Sequence, residues 1–182
     1  SGCQVIVLIP EIALTFQTVM RFYARFGERI CVMHSRLSDG ERYDQFDRAR
    51  RGEAQIMIGA RSALFTPFER LGLIVMDEEH EGAYRSEGAP RYHARDVAEH
   101  LARMEGAHFV MGSATPSVEA YSKAEAGLYR LFSLKLRAGK GSALASTEIV
   151  DMRGELREGN KSIFSRRLQE LIKDRLEKKE QV

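Results

Sequence analysis

The chain has 182 residues, of which 43% are hydrophobic, and its formal net charge is +2. That is enough for one sizeable core with some excess, and the near-balanced charge excludes a globally basic nucleic-acid binder; any such surface must be local. Two cysteines, Cys3 and Cys31, fit neither a metal spacing nor a disulfide framework, and no apolar run approaches the ~18 residues of a membrane span, so a reducing, cytoplasmic setting with two buried thiols is expected.

Taken in order, Gln4 to Ile9 is a continuous apolar run stopped by Pro10, the pattern of a strand covered on both faces. From Glu11 to Phe26, apolar positions recur at helical spacing, and Gly27 ends them. Phe16, Phe22, Phe26 and later Phe46 read as core. Arg29 to Met33 is a second strand with His34 at its end. Ser38 and Glu41 form a capping box for a helix running to Arg50. Ala54 to Ile58 is a third strand, ending in Gly59-Ala60-Arg61-Ser62. Residues 71 to 76 make a fourth, which delivers Asp77, Glu78, Glu79 and His80.

An irregular stretch from Glu81 to Pro90 precedes a helix over His93 to Met104. His108 to Met111 is a fifth strand, leading to Gly112-Ser113-Ala114-Thr115. Thr115 is the expected N-cap and Pro116 the first residue of the next helix, which reaches Gly127. This alternation predicts an α/β fold with a parallel doubly wound sheet over residues 1–127. Residues 128–182 form a second region: an alternating strand over Tyr129 to Leu136, a flexible connection over 137–146, and a strand over Thr147 to Met152. A charged loop over 153–161 then leads to a helix capped by Ser165, with Leu168, Leu171, Ile172 and Leu176 on one face. The chain opens almost directly in a strand and ends in a charged helix, as a piece of something longer would.

In a parallel sheet the carboxyl ends of all strands share one edge, where open α/β sheets bind ligands. Five polar segments converge there: Pro10-Glu11, His34-Ser35, residues 59–62, residues 77–80 and residues 112–117. Adjacent carboxylates at such an edge suit a divided task, one holding magnesium and the next positioning a water for attack on a phosphate. Each segment alone also reads as an ordinary turn, cap or acidic loop. A lone histidine such as His34 is more often structural.

Their joint order carries more. Ile9 to Thr15, Gly59 to Phe65, Asp77 to His80, Gly88 to Asp96 and Gly112 to Ser117 together resemble the first motor lobe of superfamily 2 DExH nucleic-acid helicases, and most closely the primosomal replication-restart helicases. The resemblance implies a RecA-like lobe of the P-loop NTPase type, with ATP and magnesium as cofactors. It makes Asp77, Glu78 and His80 catalytic, with Asp77 holding magnesium through water and Glu78 acting as general base. It makes Glu79, Ser113, Ala114 and Thr115 the coupling segment. Pro10, Glu11, Thr15, Arg61 and Ser62 fall on motifs lining a single-strand path. Tyr84, Arg85, Arg91, Tyr92 and His93, with Arg95, belong to an aromatic-rich loop that grips unpaired bases.

The same resemblance implies 3′ to 5′ movement on single-stranded and forked DNA. Its implied partners are primosome proteins and single-strand-binding protein, with no membrane involved and with zinc bound only outside this chain. The phosphate-cradling sequence G-x-x-x-x-G-K-[ST] does not occur; Gly139-Lys140-Gly141-Ser142 departs from it. The family's loop lies upstream, so the isolated chain is expected not to hydrolyse ATP. The alternatives are a DNA-binding module with a vestigial acidic cluster, another superfamily 2 translocase lobe, and, more distantly, a phospho-acceptor receiver using Asp77.

Overall fold

The structure, a computed structural model, describes residues 2–135 and 146–182. They group into two compact units, Ser1–Leu131 and Phe132–Val182. No helix among the described residues is long and apolar enough to cross a membrane.

The first unit holds five strands: β1 (Gln4–Leu8), β2 (Ile30–Met33), β3 (Ile56–Gly59), β4 (Leu71–Met76) and β5 (His108–Met111). Between and after them lie α1 (Phe16–Phe26), α2 (Asp39–Arg50), α3 (Ala94–Glu105) and α4 (Val118–Glu125). All strand pairs are parallel, in the order β2-β3-β1-β4-β5. The step from β1 to β2 runs one way across the sheet and the later steps run the other way. Right-handed crossovers then require α1 on one face and α2 and α3 on the opposite face.

The core divides accordingly. Val7, Ile9, Ile30 and Ile58 meet Leu14, Phe22, Tyr23 and Phe26 on the α1 side. Ile6, Leu8, Met33, Met57, Ile74 and Met76 meet Phe46 of α2 and Ala94, Ala98 and Ala102 of α3 on the other. Ile6 and Leu8 alternate with Val7 and Ile9, the two-residue period of a strand buried on both faces. The alanines recur every fourth residue, so α3 presents its smallest side chains to the sheet.

Gly59 ends β3 where a Cβ would lie 2.4 Å from the Met33 carbonyl oxygen, so a side chain there would force the two strands apart. Ser38 and Glu41 form the expected capping box, and Gly106 ends α3 in the left-handed conformation.

Several expectations fail here. Phe16, the first residue of α1, is 79% exposed although it shares a helix face with Tyr23, and Cys3 is exposed ahead of β1. The α4 N-cap is Ser117, not Thr115, so Pro116 precedes the helix. Residues 129–135 form no strand despite their alternation. Instead the Tyr129 hydroxyl bonds Glu99 and accepts from Lys123, tying that stretch to α3 and α4. The connection over 137–146 falls almost wholly outside the described residues.

In the second unit residues 147–151 are irregular rather than a strand. The expected charged loop contains α5 (Met152–Arg157), capped by Asp151. Then α6 (Arg166–Glu177) follows its expected Ser165 cap.

Candidate active site

Asp77 leaves β4 with its N–H still donating to the Leu8 carbonyl at 2.9 Å, so its backbone stays in the ladder while its side chain is exposed at the carboxyl edge. Its Oδ1 accepts the Glu78 N–H at 3.1 Å. Glu78 adopts φ 45°, a left-handed conformation unusual for a residue with a Cβ. Such residues persist where surrounding contacts enforce them, and they concentrate at functional sites. His80 follows, with Nδ1 2.7 Å from the Ser113 hydroxyl and 3.6 Å from the Glu78 carboxylate. Two hard carboxylates side by side at a strand end can share a divalent cation with phosphate oxygens. Among the described residues there is no group of three or more acidic, cysteine or histidine side chains placed to hold a metal.

Glu79, between these residues, turns inward and is 2% exposed. Its carboxylate accepts the Ser117 N–H at 2.5 Å, the Ser117 hydroxyl at 3.0 Å and Arg95 Nη1 at 3.3 Å. Its own N–H donates to the Gly112 carbonyl. A carboxylate at the start of α4 is favoured by the helix dipole, and three donors offset its desolvation. Glu79 and His80 therefore hold opposite ends of residues 113–117.

A second feature lies at the ends of β1, β2 and β3: a cleft of about 260 Å³ lined by Glu11, His34, Ser35, Arg42, Arg61, Ser62 and Tyr92 among others. The Ser35 side chain and backbone N–H bond the Glu11 carboxylate and hold it below the usual carboxylate range. Arg42 reaches back from the first turn of α2 to the Ser35 carbonyl at 2.9 Å. Arg61 donates to the Arg85 carbonyl, joining the turn after β3 to the loop after β4. Thr15 caps α1 through the Thr18 N–H.

The aromatic-rich loop splits into inward and outward parts. Tyr84, expected as a stacking surface, is 1% exposed. Its hydroxyl donates to the carbonyls of Leu8 and Asp77 at 3.1 and 2.7 Å, and burial pushes its ionisation well up. In this conformation it braces β1 against β4 and offers no face to a base. Pro10 is likewise buried and forms the cleft floor.

His93 caps α3 by accepting the Arg95 N–H on Nδ1, and burial, reinforced by the Arg95 charge, pushes its pKa down. Arg95 points to Glu79 rather than outward. Arg85 and Arg91 are exposed, and Tyr92 packs edge-on against Phe65 with ring centroids 5.8 Å apart. Arg42 was not legible as a site residue; the one available hint was its position in the first turn of a helix that follows a strand end. Ser117 fell within the segment expected at this edge, but its bonds to Glu79 were not legible.

The DEAD/DEAH box helicase family matches residues 1–124. The whole chain is 49% identical to the replication restart protein PriA of Bacillus subtilis and 46% identical to that of Haemophilus influenzae, covering 22% and 24% of those proteins. The chain thus spans about a quarter of the length of these curated relatives. Among solved structures, the C-terminal domain of the DEAD-box protein Dbp5 is similar at TM-score 0.44 and 15% identity, with 72% of each chain covered.

Proposed function

The chain belongs to the DEAD/DEAH box helicase family and is similar along its whole length to the replication restart protein PriA; from that premise we propose that it forms most of the first motor lobe of an ATP-driven, 3′ to 5′ DNA helicase acting at stalled forks. The observation that carries this reading is the end of β4: exposed Asp77 and left-handed Glu78, followed by His80 bonded to Ser113.

In this reading Asp77 would hold the magnesium that accompanies ATP, which when bound would supply neutralisation of phosphate charge. Glu78 orients the attacking water and takes its proton. His80 passes the resulting change to Ser113, at the start of the Ser113-Ala114-Thr115 segment. Single-stranded DNA lies across the cleft, where Arg61, Ser62 and the exposed Arg85 and Arg91 meet its backbone and Tyr92 meets its bases. Glu11 and Thr15 shape that path through their contacts with Ser35 and Thr18. Primosome proteins and single-strand-binding protein are the partners this role requires. Because G-x-x-x-x-G-K-[ST] is absent from its sequence, the isolated chain does not hydrolyse ATP.

The test is ATP turnover by the full-length protein that carries this chain, with and without forked DNA, beside Glu78→Gln. DNA-stimulated turnover that falls about a hundredfold or more in the variant is the expected result. Turnover indifferent to the change, or absent from the unmodified protein, would leave a DNA-binding module as the better account. Saturable hydrolysis by the isolated chain would refute its predicted inactivity.

A further inference from the structure

Phe65 is left 57% exposed in a stretch whose other residues are tightly held. It ends the short 3₁₀ turn Arg61–Phe65 that follows β3. Ala63, Leu64 and Thr66 around it are buried, and the first two belong to the core shared by the sheet, α2 and α3. The Thr66 hydroxyl and N–H both donate to the Ala63 carbonyl, at 2.7 and 3.2 Å, and the Phe68 N–H donates to the Thr66 carbonyl at 2.8 Å. The backbone on either side of Phe65 is therefore fixed, and its ring stands in solvent on a rigid support.

A single exposed apolar side chain is common and means nothing alone. Phe65 is not alone. Its ring centroid lies 5.8 Å from that of Tyr92 at an interplanar angle of 82°, an edge-to-face pair that leaves aromatic faces open. Tyr92 in turn lines the cleft with Arg61 and Ser62. Arg61 begins the Phe65 turn and donates to the Arg85 carbonyl, and Arg85 and Arg91 are exposed nearby in sequence to Tyr92. Open rings interleaved with cations are what an unpaired strand requires, since cations meet its phosphates and rings meet its bases.

Resting on the reading above, we propose that Phe65 is a base-stacking residue of the cleft, on whose ring an unpaired base lies next to the base met by Tyr92. The fixed backbone suits this role, because a ring already held in place loses little freedom when a base covers it. Every base has a π-face, so the contact adds affinity without reading sequence. It is also uncharged, so it adds nothing to the release of counterions.

The experiment uses the full-length protein, Phe65→Leu and Phe65→Tyr, with thermal midpoints alongside. The probe is a single-stranded oligothymidylate carrying one fluorescent aminopurine, placed at successive positions along a series of strands. Binding to the unmodified protein should quench the aminopurine at one or two positions. In Phe65→Leu, which keeps an apolar side chain but removes the ring, that quench should fall by about half or more, and the strand concentration that half-saturates stimulated ATP turnover should rise at least about fivefold. The salt dependence of that concentration should not change, and Phe65→Tyr should behave as the unmodified protein. An unaltered quench and half-saturation in Phe65→Leu overturn the proposal. So does a shallower salt dependence, which marks a displaced cation, or an equal loss in Phe65→Tyr, which marks packing rather than stacking. If Phe65→Leu fails to fold, Phe65→Met takes its place under the same criteria. Absence of any turnover stimulated by the strand in the unmodified protein would defeat the functional reading itself, and is recognisable because no substitution is involved.

Discussion

Helices α1 and α6 carry the same sequence pattern, an apolar stripe at helical spacing behind a hydroxyl cap, yet the two units treat them differently. In Ser1–Leu131, Phe22, Tyr23 and Phe26 of α1 close over Val7, Ile30 and Ile58. In Phe132–Val182, Leu168, Leu171 and Leu176 remain 42%, 41% and 61% exposed, and the buried side chain among the described residues is the polar cap Ser165. Periodicity and capping decide that a helix forms; a sheet or second helix must decide that its stripe is buried. Burial belongs to the first unit.

The sharpest way to break this contrast is to hollow out the first unit. Ile6→Ala, at a fully buried position of the central strand, should cost about 2–5 kcal/mol in denaturant unfolding. Gly59→Ala should cost about 1–3 kcal/mol, since the added methyl meets backbone of the neighbouring strand. Tyr84→Phe tests the brace between β1 and β4. The Leu8 carbonyl keeps the Asp77 N–H while the Asp77 carbonyl loses the hydroxyl, which should cost about 1–2 kcal/mol without altering the sheet's circular dichroism. Glu78→Gly should act in the opposite direction, raising stability by about 1 kcal/mol while abolishing turnover in the full-length protein, because glycine adopts φ 45° freely. Leu171→Ala in the second unit should stay within about 0.5 kcal/mol. A large loss there would show that the α6 stripe is covered after all.

How much of this was legible follows the range of the interactions. The Ser38–Glu41 box, Gly106 and the apolar runs of β1 and β4 are local signals, and they read correctly. So did the convergence of residues 77–80 and 112–117 at one edge, which follows from parallel topology alone. The start of α4 did not. Thr115-Pro116 has the better local signal, but Ser117 becomes the cap because Glu79, 38 residues earlier, takes both its N–H and its hydroxyl.

Tyr84 and Arg95 were misread for the same reason. Their partners are the carbonyls of Leu8 and Asp77 and the Glu79 carboxylate, and no local window holds all three. The alternation of residues 129–135 promised a strand, but a strand needs a neighbour, and the Tyr129 hydroxyl found Glu99 instead.

The left-handed backbone at Glu78 also dictates which silent form of the protein is worth making. With Glu78 as the proposed base, a Glu→Gln exchange removes that base but leaves the unfavourable φ in place. Asparagine tolerates that region far better and lacks the carboxylate as well. Glu78→Asn is therefore the substitution to choose for a trap: a relaxed receptor that keeps the geometry of its rim, accepts its ligands and does not turn them over.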